Sequence, residues 1–411
     1  MEVSQFIFYF FAFVATYIQV FFLYTFFDKK YSIKKHTKVS LKSYPAVTVL
    51  VPCWNEEDSV VSTVKSLLNL EYPQSKLFIT LIDDGSTDST WDVMQKYSKH
   101  SQITLLKKEN GGKHTALNMG IEHTSTGFIC SFDADTTVVP DALKQAMQYF
   151  HNDAELMALG GTVLISKPKT IIQKAQSVEY QMFSFSKKML GLLNGVLVVP
   201  GAFSLFKKEA LLEVGGYNSG HNLEDLELTY RMQMAGLKVN QCDTAFVYTD
   251  GPVTPKQLFK QRLRWSYGFI NNCFDYRKVL FNKKYGNFGM FTVPMSLLAY
   301  VIILYVFFIS WVRIIQFLGD KLFVIKTLGF ASLIPASFDM FFVNTSAIMF
   351  LTLVSYSAIF LTIYLGKRLT HSELGIRSLF WFMAVYSVMV PLWVLASLYN
   401  SIFIRKGVAW R

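Results

Sequence analysis

The sequence predicts a mostly parallel α/β domain held between transmembrane helices, and three observations predict it. Residues Phe6 to Phe27 carry no charged side chain over about 22 positions, enough to cross a bilayer at 1.5 Å rise per residue. From Tyr44 to about Lys256, short β-branched and apolar runs alternate with amphipathic stretches, the pattern of a parallel sheet covered on both faces. After Phe288 the chain becomes apolar again, in three runs of about 25 residues.

The first apolar run reads as a retained anchor spanning 6–27. A signal peptide would need a basic start and a small-residue cleavage site, whereas the chain opens Met-Glu-Val-Ser and leaves the run at Asp-Lys-Lys. Six lysines lie between Asp28 and Ser43, and a second basic cluster follows Lys256. The formal net charge is +11, and its clustering beside apolar runs is the positive-inside signal, which argues against a nucleic-acid partner. Hydrophobic residues make up 52% of the 411 residues and charged residues 17%, as expected of a membrane protein with a sizeable water-soluble part. The four cysteines (Cys53, Cys130, Cys242, Cys273) are scattered without a CxxC pair, which argues against a zinc site or a disulfide frame.

Strands are expected at Val47–Val51, Phe78–Ile82, Ile103–Leu106 and Phe128–Phe132, with helices at Glu57–Leu70, Ser89–His100 and His114–His123 between them. This domain is expected over 44–256, followed by interfacial amphipathic helices over 257–287 and a membrane region over 288–404. Spans are expected at Phe288–Val312, Phe341–Leu365 and Ser378–Phe403. Leu322–Pro335, which contains Lys326, reads as a short, re-entrant or fifth segment, so the side of the C-terminus stays open.

In such sheets ligands bind beyond the carboxyl ends of the strands, and acids gather there. "VPCWNEED" follows the first strand, "DDGSTDST" with Asp83 and Asp84 the second, and "SFDADTTVVP" with Asp133 and Asp135 ends the fourth. In extended chain Asp133 and Asp135 would point the same way and address one ion, and hard oxygen ligands favour Mg2+ or Mn2+ with substrate phosphates completing the shell. Each acid taken singly is equally well explained by turn or capping chemistry, for which Ser86 and Asp88 are suited. "ENGGKHTALNMG" offers backbone N–H groups at Gly111 and Gly112 as an anion cradle, with Lys113 as a mobile charge beside it. "HNLEDLELTYRM" sets Glu224 and Asp225 at a helix start, where capping and catalysis fit alike. In "PKQLFKQRLRWSYG", Gln261, Arg264 and Trp265 share one helical face: an Arg for phosphate oxygens and an indole for a sugar ring, on a helix that also suits a membrane surface.

These pieces, in this order, resemble the processive family-2 glycosyltransferases, the membrane-embedded synthases with a Rossmann-like GT-A domain that include cellulose, chitin and hyaluronan synthases. The resemblance runs from Val47 to about Gly268, on "VPCWNE", "DDGSTD", "GGKHTALN", the D-x-D read as "DAD", the E-D pair and Q-x-x-R-W read as "QRLRW". "VVPGAFSLFKKEALLEVGGY" is most similar to the bacterial poly-β-1,6-N-acetylglucosamine synthases. One departure stands out, since the usual Thr-Glu-Asp reads Leu223-Glu224-Asp225.

The resemblance implies a cytoplasmic catalytic domain at a bacterial cell membrane that builds a β-linked polysaccharide from a UDP-sugar, UDP-GlcNAc being the expected donor, and exports it. Pro52, Asn55 and Glu56 would belong to the substrate site. Asp83 and Asp84 would contact uracil or ribose. Asp133 and Asp135 would hold ribose and the Mg2+ or Mn2+ on the diphosphate, with Lys113 near the nucleotide. Asp225, beside Glu224, would be the general base, and Gly201 would line the acceptor path. Gln261, Arg264 and Trp265 would grip the diphosphate and the terminal acceptor sugar. Implied partners are the UDP-sugar, the growing polysaccharide and membrane lipids, with a small accessory membrane subunit left open. Competing readings are a hyaluronan-, chitin- or cellulose-type synthase, single-sugar transfer to a lipid, and a transporter or scaffold that only binds nucleotide.

Overall fold

Side-chain alternation in the first strand sets the architecture of the soluble domain. In β1 (Val47–Cys53), Val49, Val51 and Cys53 enter one apolar layer while Leu50 enters the other, so the strand is buried on both faces. A computed structural model of the chain describes residues 3–29, 41, 43–330, 347–373 and 375–404. The remaining strands are β2 (Leu77–Asp84), β3 (Ile103–Lys108), β4 (Phe128–Phe132), β5 (Thr136–Val138), β6 (Leu156–Ile165), β7 (Phe203–Lys207) and β8 (Lys238–Thr249). They form one sheet in the order β3-β2-β1-β4-β7-β6-β8-β5.

The sheet has two halves. β3, β2, β1 and β4 run parallel, as expected. Beyond β4 the pairing is mixed, because β7 pairs antiparallel with both β4 and β6 and β5 antiparallel with β8, while β6 and β8 run parallel. The sheet is therefore mixed. The chain reverses straight after β4 to run into β5, and this reversal shapes the site described below.

The helices of the domain are α2 (Val60–Leu68), α3 (Thr90–Gln95), α4 (Lys113–Glu122), α5 (Ala142–Asn152), α6 (Ile171–Leu192), α7 (Lys208–Glu213), α8 (Glu224–Met234) and α9 (Pro255–Asp275); α1 (Val3–Asp28) precedes them all. One layer on the sheet packs Val64 and Leu67 of α2 with Ala146 and Tyr149 of α5. The other packs Ala116 and Leu117 of α4 with Leu228 and Met232 of α8. At about 25 cal/mol per Å2 of apolar surface removed from water, these two layers supply most of the driving force for folding.

Both α6 and α9 start with a capping box. Thr170 pairs with Gln173, and Thr254 with Gln257, the latter with Pro255 in the first turn. The second cap fixes the phase of α9, and hence where Gln261, Arg264 and Trp265 point.

Among the described residues, four helices are long and apolar enough to cross a membrane, at Phe6–Asp28, Phe288–Leu328, Met349–Thr370 and Ile376–Ile404. α10 (Val293–Leu328) continues a π-helical turn at Phe288–Thr292 without a break. The separate segment expected from Leu322 therefore starts inside α10, which ends at Gly329 with φ +78°. The rest of that segment, the start of the expected Phe341–Leu365 span, and most of the lysine run after Asp28 lie outside the described residues. α11 (Ala347–Thr370) and α12 (Ile376–Tyr399) complete the set.

α6 is the joint between sheet and membrane helices, lying against β6 and β8 on one side and against α11 and α12 on the other. The α6–α11 crossing is close enough that a Cβ at Gly366 would sit 2.2 Å from the Gln181 carbonyl oxygen, so only glycine fits there. α9 packs on α12, which brings the QxxRW segment to the membrane helices.

Candidate active site

The carboxyl ends of the parallel strands open into one cavity of about 1480 Å3. Every residue expected from the sequence to bind substrate or metal or to act in catalysis lines it except Asn55 and Asp83. Asn55, at φ +55°, instead receives the Thr87 amide on its side-chain oxygen at 2.9 Å and so ties the β1 loop to the β2 loop. Asp83 is fully buried. One of its oxygens takes the Ser86 amide at 3.0 Å, while Oδ2 is without a hydrogen-bond partner.

Asp84 lines the cavity but is already engaged. It accepts from the amides of Gly111 (3.1 Å) and Gly112 (2.9 Å) and from Lys108 Nζ (2.7 Å). The anion cradle expected at the glycines thus exists, but its occupant is a carboxylate of the same chain. A Cβ at Gly85 would fall 2.5 Å from the Asn110 amide nitrogen, which explains the tight approach of the two loops. Asp88 lies just before Ser89, the N-cap of α3, and takes the Thr90 amide at 3.0 Å; burial works against its charge, but hydrogen bonds from Thr90 and the Glu57 amide together hold it below the usual carboxylate range.

Asp133 and Asp135 differ from the expectation of an extended segment. The Thr136 amide donates to the Asp133 carbonyl at 3.2 Å, so the D-x-D lies in the turn that reverses the chain from β4 into β5. Both acids still face the cavity. Burial, then the nearby Asp133 and Glu56 charges, push Asp135 up to about 7, with Lys113 and a Thr136 hydroxyl hydrogen bond opposing. Asp133, Asp135 and Glu56 thus crowd negative charge at this end of the cavity. Among the described residues no three His, Cys, Asp or Glu side chains form a complete cage. A set of one or two carboxylates with mutual repulsion fits an ion such as Mg2+ or Mn2+ that takes its other ligands from substrate phosphate and water.

Lys113, the first residue of α4, is the centre of the charge arrangement. Its ammonium lies 2.6 Å from Asp133 and 2.9 Å from Glu224. Burial opposes its charge, but Asp133, Glu224 and Asp225 together outweigh burial and hold it well above the usual lysine range. The two acids at the start of α8 are pushed apart. Burial works against Glu224, yet Lys113 and then Arg264 hold it below the usual range. Burial and the Glu224 charge push Asp225 above its usual range, with Lys113 and the amides of Gly201 and Leu226 only partly offsetting them. Those amides stand 3.0 and 2.8 Å from its two oxygens and fix its orientation. A Cβ on Gly201 would meet Lys113 Nζ at 2.6 Å, so this position carries no side chain. Neighbouring acids tuned in opposite directions leave Asp225 the more basic of the two.

On α9, Arg264 donates to the Asn222 carbonyl at 2.9 Å, Gln261 Oε1 is buried without a hydrogen-bond partner, and Trp265 presents its ring to the cavity. Sequence reasoning missed two contributors on α6, Tyr180 and Lys187, both lining the cavity. Lys187 is half-buried, and burial pulls its amine down to about 8 against the attraction of Asp225. The i, i+3, i+4, i+7 spacing of Tyr180, Phe183, Ser184 and Lys187 was the available signal, but it reads as an ordinary amphipathic helix until the site's position is known.

The description "Glycosyltransferase like family 2" matches residues 45–268, more than half the chain. The chain belongs to that family. This glycosyltransferase is 30% identical over 272 residues to a poly-beta-1,6-N-acetyl-D-glucosamine synthase of Staphylococcus aureus (strain MSSA476), an alignment covering 65% of this chain and 66% of that relative. A Staphylococcus epidermidis protein of the same name is 26% identical over 413 residues, covering 99% of this chain and 96% of the relative. Among solved structures, a mannosyltransferase from Pyrobaculum calidifontis in complex with GDP-Man and Mn2+ superposes with a TM-score of 0.58 at 14% identity, covering 96% of this chain and all of that one. The shared architecture is the GT-A fold, here joined to four helices of membrane-spanning length.

Proposed function

We propose that this glycosyltransferase is a processive, inverting hexosyltransferase that polymerises β-linked N-acetylglucosamine from UDP-GlcNAc on the cytoplasmic side of a cell membrane and passes the chain outward. One observation carries the reading: a single cavity runs from Asp133 and Asp135 past Asp225 and Trp265 to Ser296, Ala299 and Tyr300 at the start of α10. Donor site, base and membrane helix share one space, which suits a product that grows into the membrane.

In this mechanism Asp133 and Asp135 would hold a Mg2+ or Mn2+ ion, which would neutralise charge building on the departing diphosphate. Arg264 supplies further positive charge on that side. Asp225, made more basic by burial and by Glu224, takes the proton from the acceptor hydroxyl as it attacks the anomeric carbon. Attack opposite the leaving group converts an α-linked donor to a β-linked product. Lys113 balances Glu224 and Asp133, which leaves Asp225 the more basic acid of the pair at the start of α8. The Trp265 ring supports the terminal acceptor sugar, and Gln261, with an unpaired buried oxygen, offers a polar contact beside it.

The names of the staphylococcal relatives support the choice of polymer. The test supplies radiolabelled UDP-sugars singly to membranes with Mg2+ or Mn2+ and digests the product with linkage-specific hydrolases. A long product from UDP-GlcNAc alone, degraded by a β-1,6-specific hydrolase, is the expected result. A product of one sugar on lipid, or a polymer made only from another UDP-sugar, would overturn it.

A further inference from the structure

Behind the cavity wall sits an ionised group that the mechanism above does not use. Arg262 is 3% exposed, and its guanidinium lies 4.0 Å from the centre of the Trp265 ring and 5.8 Å from that of Tyr180. Both rings line the cavity, whereas Arg262 does not. Its Nη2 donates to Glu179, on α6, and the same Glu179 oxygen accepts from the Tyr386 hydroxyl of α12 at 2.6 Å. Nε and Nη1 of Arg262 have no hydrogen-bond partner, so the faces of the flanking rings are what meets the rest of the guanidinium.

A buried guanidinium is stable only when paired, and Glu179 at 5% exposure supplies the counter-charge. The planar cation can then hold only a few orientations, since one end is fixed by a carboxylate and one face by an indole. Rotation of Trp265 about its side-chain bonds would remove the ring that stacks on this cation. The anchor is in turn fixed from the membrane side, because Tyr386 belongs to a helix of membrane-spanning length.

We infer that Arg262, held by Glu179 and Tyr386, is a positioning residue that sets the plane of the Trp265 ring and thereby the acceptor sugar, tying acceptor alignment to the seating of α12 against α6 and α9. This rests on the proposed acceptor role of Trp265, and it concerns the acceptor only.

The test is a double-mutant cycle on the full-length protein in detergent or proteoliposomes, reading kcat/KM for polymer synthesis and the dissociation constant of UDP. W265A alone tests the proposed function: if it leaves synthesis unchanged, Trp265 is no acceptor platform and that reading fails. With W265A impaired, R262A is expected to lower synthesis on the order of tenfold or more while UDP binds within about twofold of wild type, and R262A/W265A is expected to match W265A within about twofold. Losses that multiply in the double variant would overturn the inference, as would weaker UDP binding in R262A. Should R262A not fold, R262K and Y386F replace it in the same cycle. Each is expected to lose several-fold in synthesis without W265A and nothing further with it; an equal loss in both backgrounds overturns the inference.

Discussion

The loops after β2 and after β4 each present two acids to the same edge of one sheet, yet the structure treats them oppositely. After β2, Asp84 is saturated by two glycine amides and a lysine, and Asp83 is buried behind it. After β4, Asp133 and Glu56 raise Asp135 by repulsion, which Lys113 and a Thr136 hydroxyl only partly offset. The first loop is closed on its own chain and gives the cavity its shape. The second crowds carboxylates together and keeps them facing the cavity, where a cation would relieve their repulsion. Acids at strand ends are thus of two kinds, and the number of donors already satisfied separates them.

Four measurements test this contrast. The largest effect is expected for Asp225→Asn, on the side of unbalanced charge: transfer falls by roughly 10²–10⁴-fold while UDP still binds, read by UDP release and by equilibrium binding. Retained synthesis in that variant would remove Asp225 from the mechanism. Next, chelation is expected to stop transfer, and Asp135→Asn to raise the Mn2+ concentration for half-maximal rate by roughly tenfold or more. Asp135→Asn is also expected to leave thermal stability unchanged or higher, since it relieves repulsion.

Asp84→Asn should do the reverse. It weakens the buried acceptor that two glycine amides and Lys108 share, at about 1–3 kcal/mol of stability, visible as a lower unfolding midpoint. Equal stability losses at both positions would erase the distinction between the loops. The smallest effect concerns Lys187, whose amine titrates near 8 in the folded chain and near 10.5 unfolded. Between these values the unfolded chain binds more proton, so stability rises with pH across that window. Lys187→Met is therefore expected to raise the unfolding midpoint below about pH 8, by on the order of 1 kcal/mol for a half-buried site, and the gain should vanish as pH approaches 10.5.

Much of the parallel half was legible because its signal is local. Hydrophobic runs broken by turn residues place β1 to β4 within a few residues of where they fall, and acids following those runs mark the ligand edge. The mixed half was not. β7 and β8 follow long excursions, and their partners are chosen by space left at the sheet edge rather than by any repeat in their own residues. The D-x-D turn had the same origin, since pairing of β5 with β8 forces a reversal that the alternation of Asp133 and Asp135 does not encode.

By itself the sequence determined the alternation of strands and helices, the apolar lengths of the spans, and which residue types stand at the strand ends, because periodicity, propensity and spacing act over a few residues. Only the tertiary structure decided that Asp84 fills the glycine cradle, that Lys113 bridges Asp133 and Glu224, and that Arg262 is clamped between Glu179, Trp265 and Tyr386. Whether a charge is satisfied depends on groups tens to hundreds of residues away along the chain, and burial sets the strength of each such pairing.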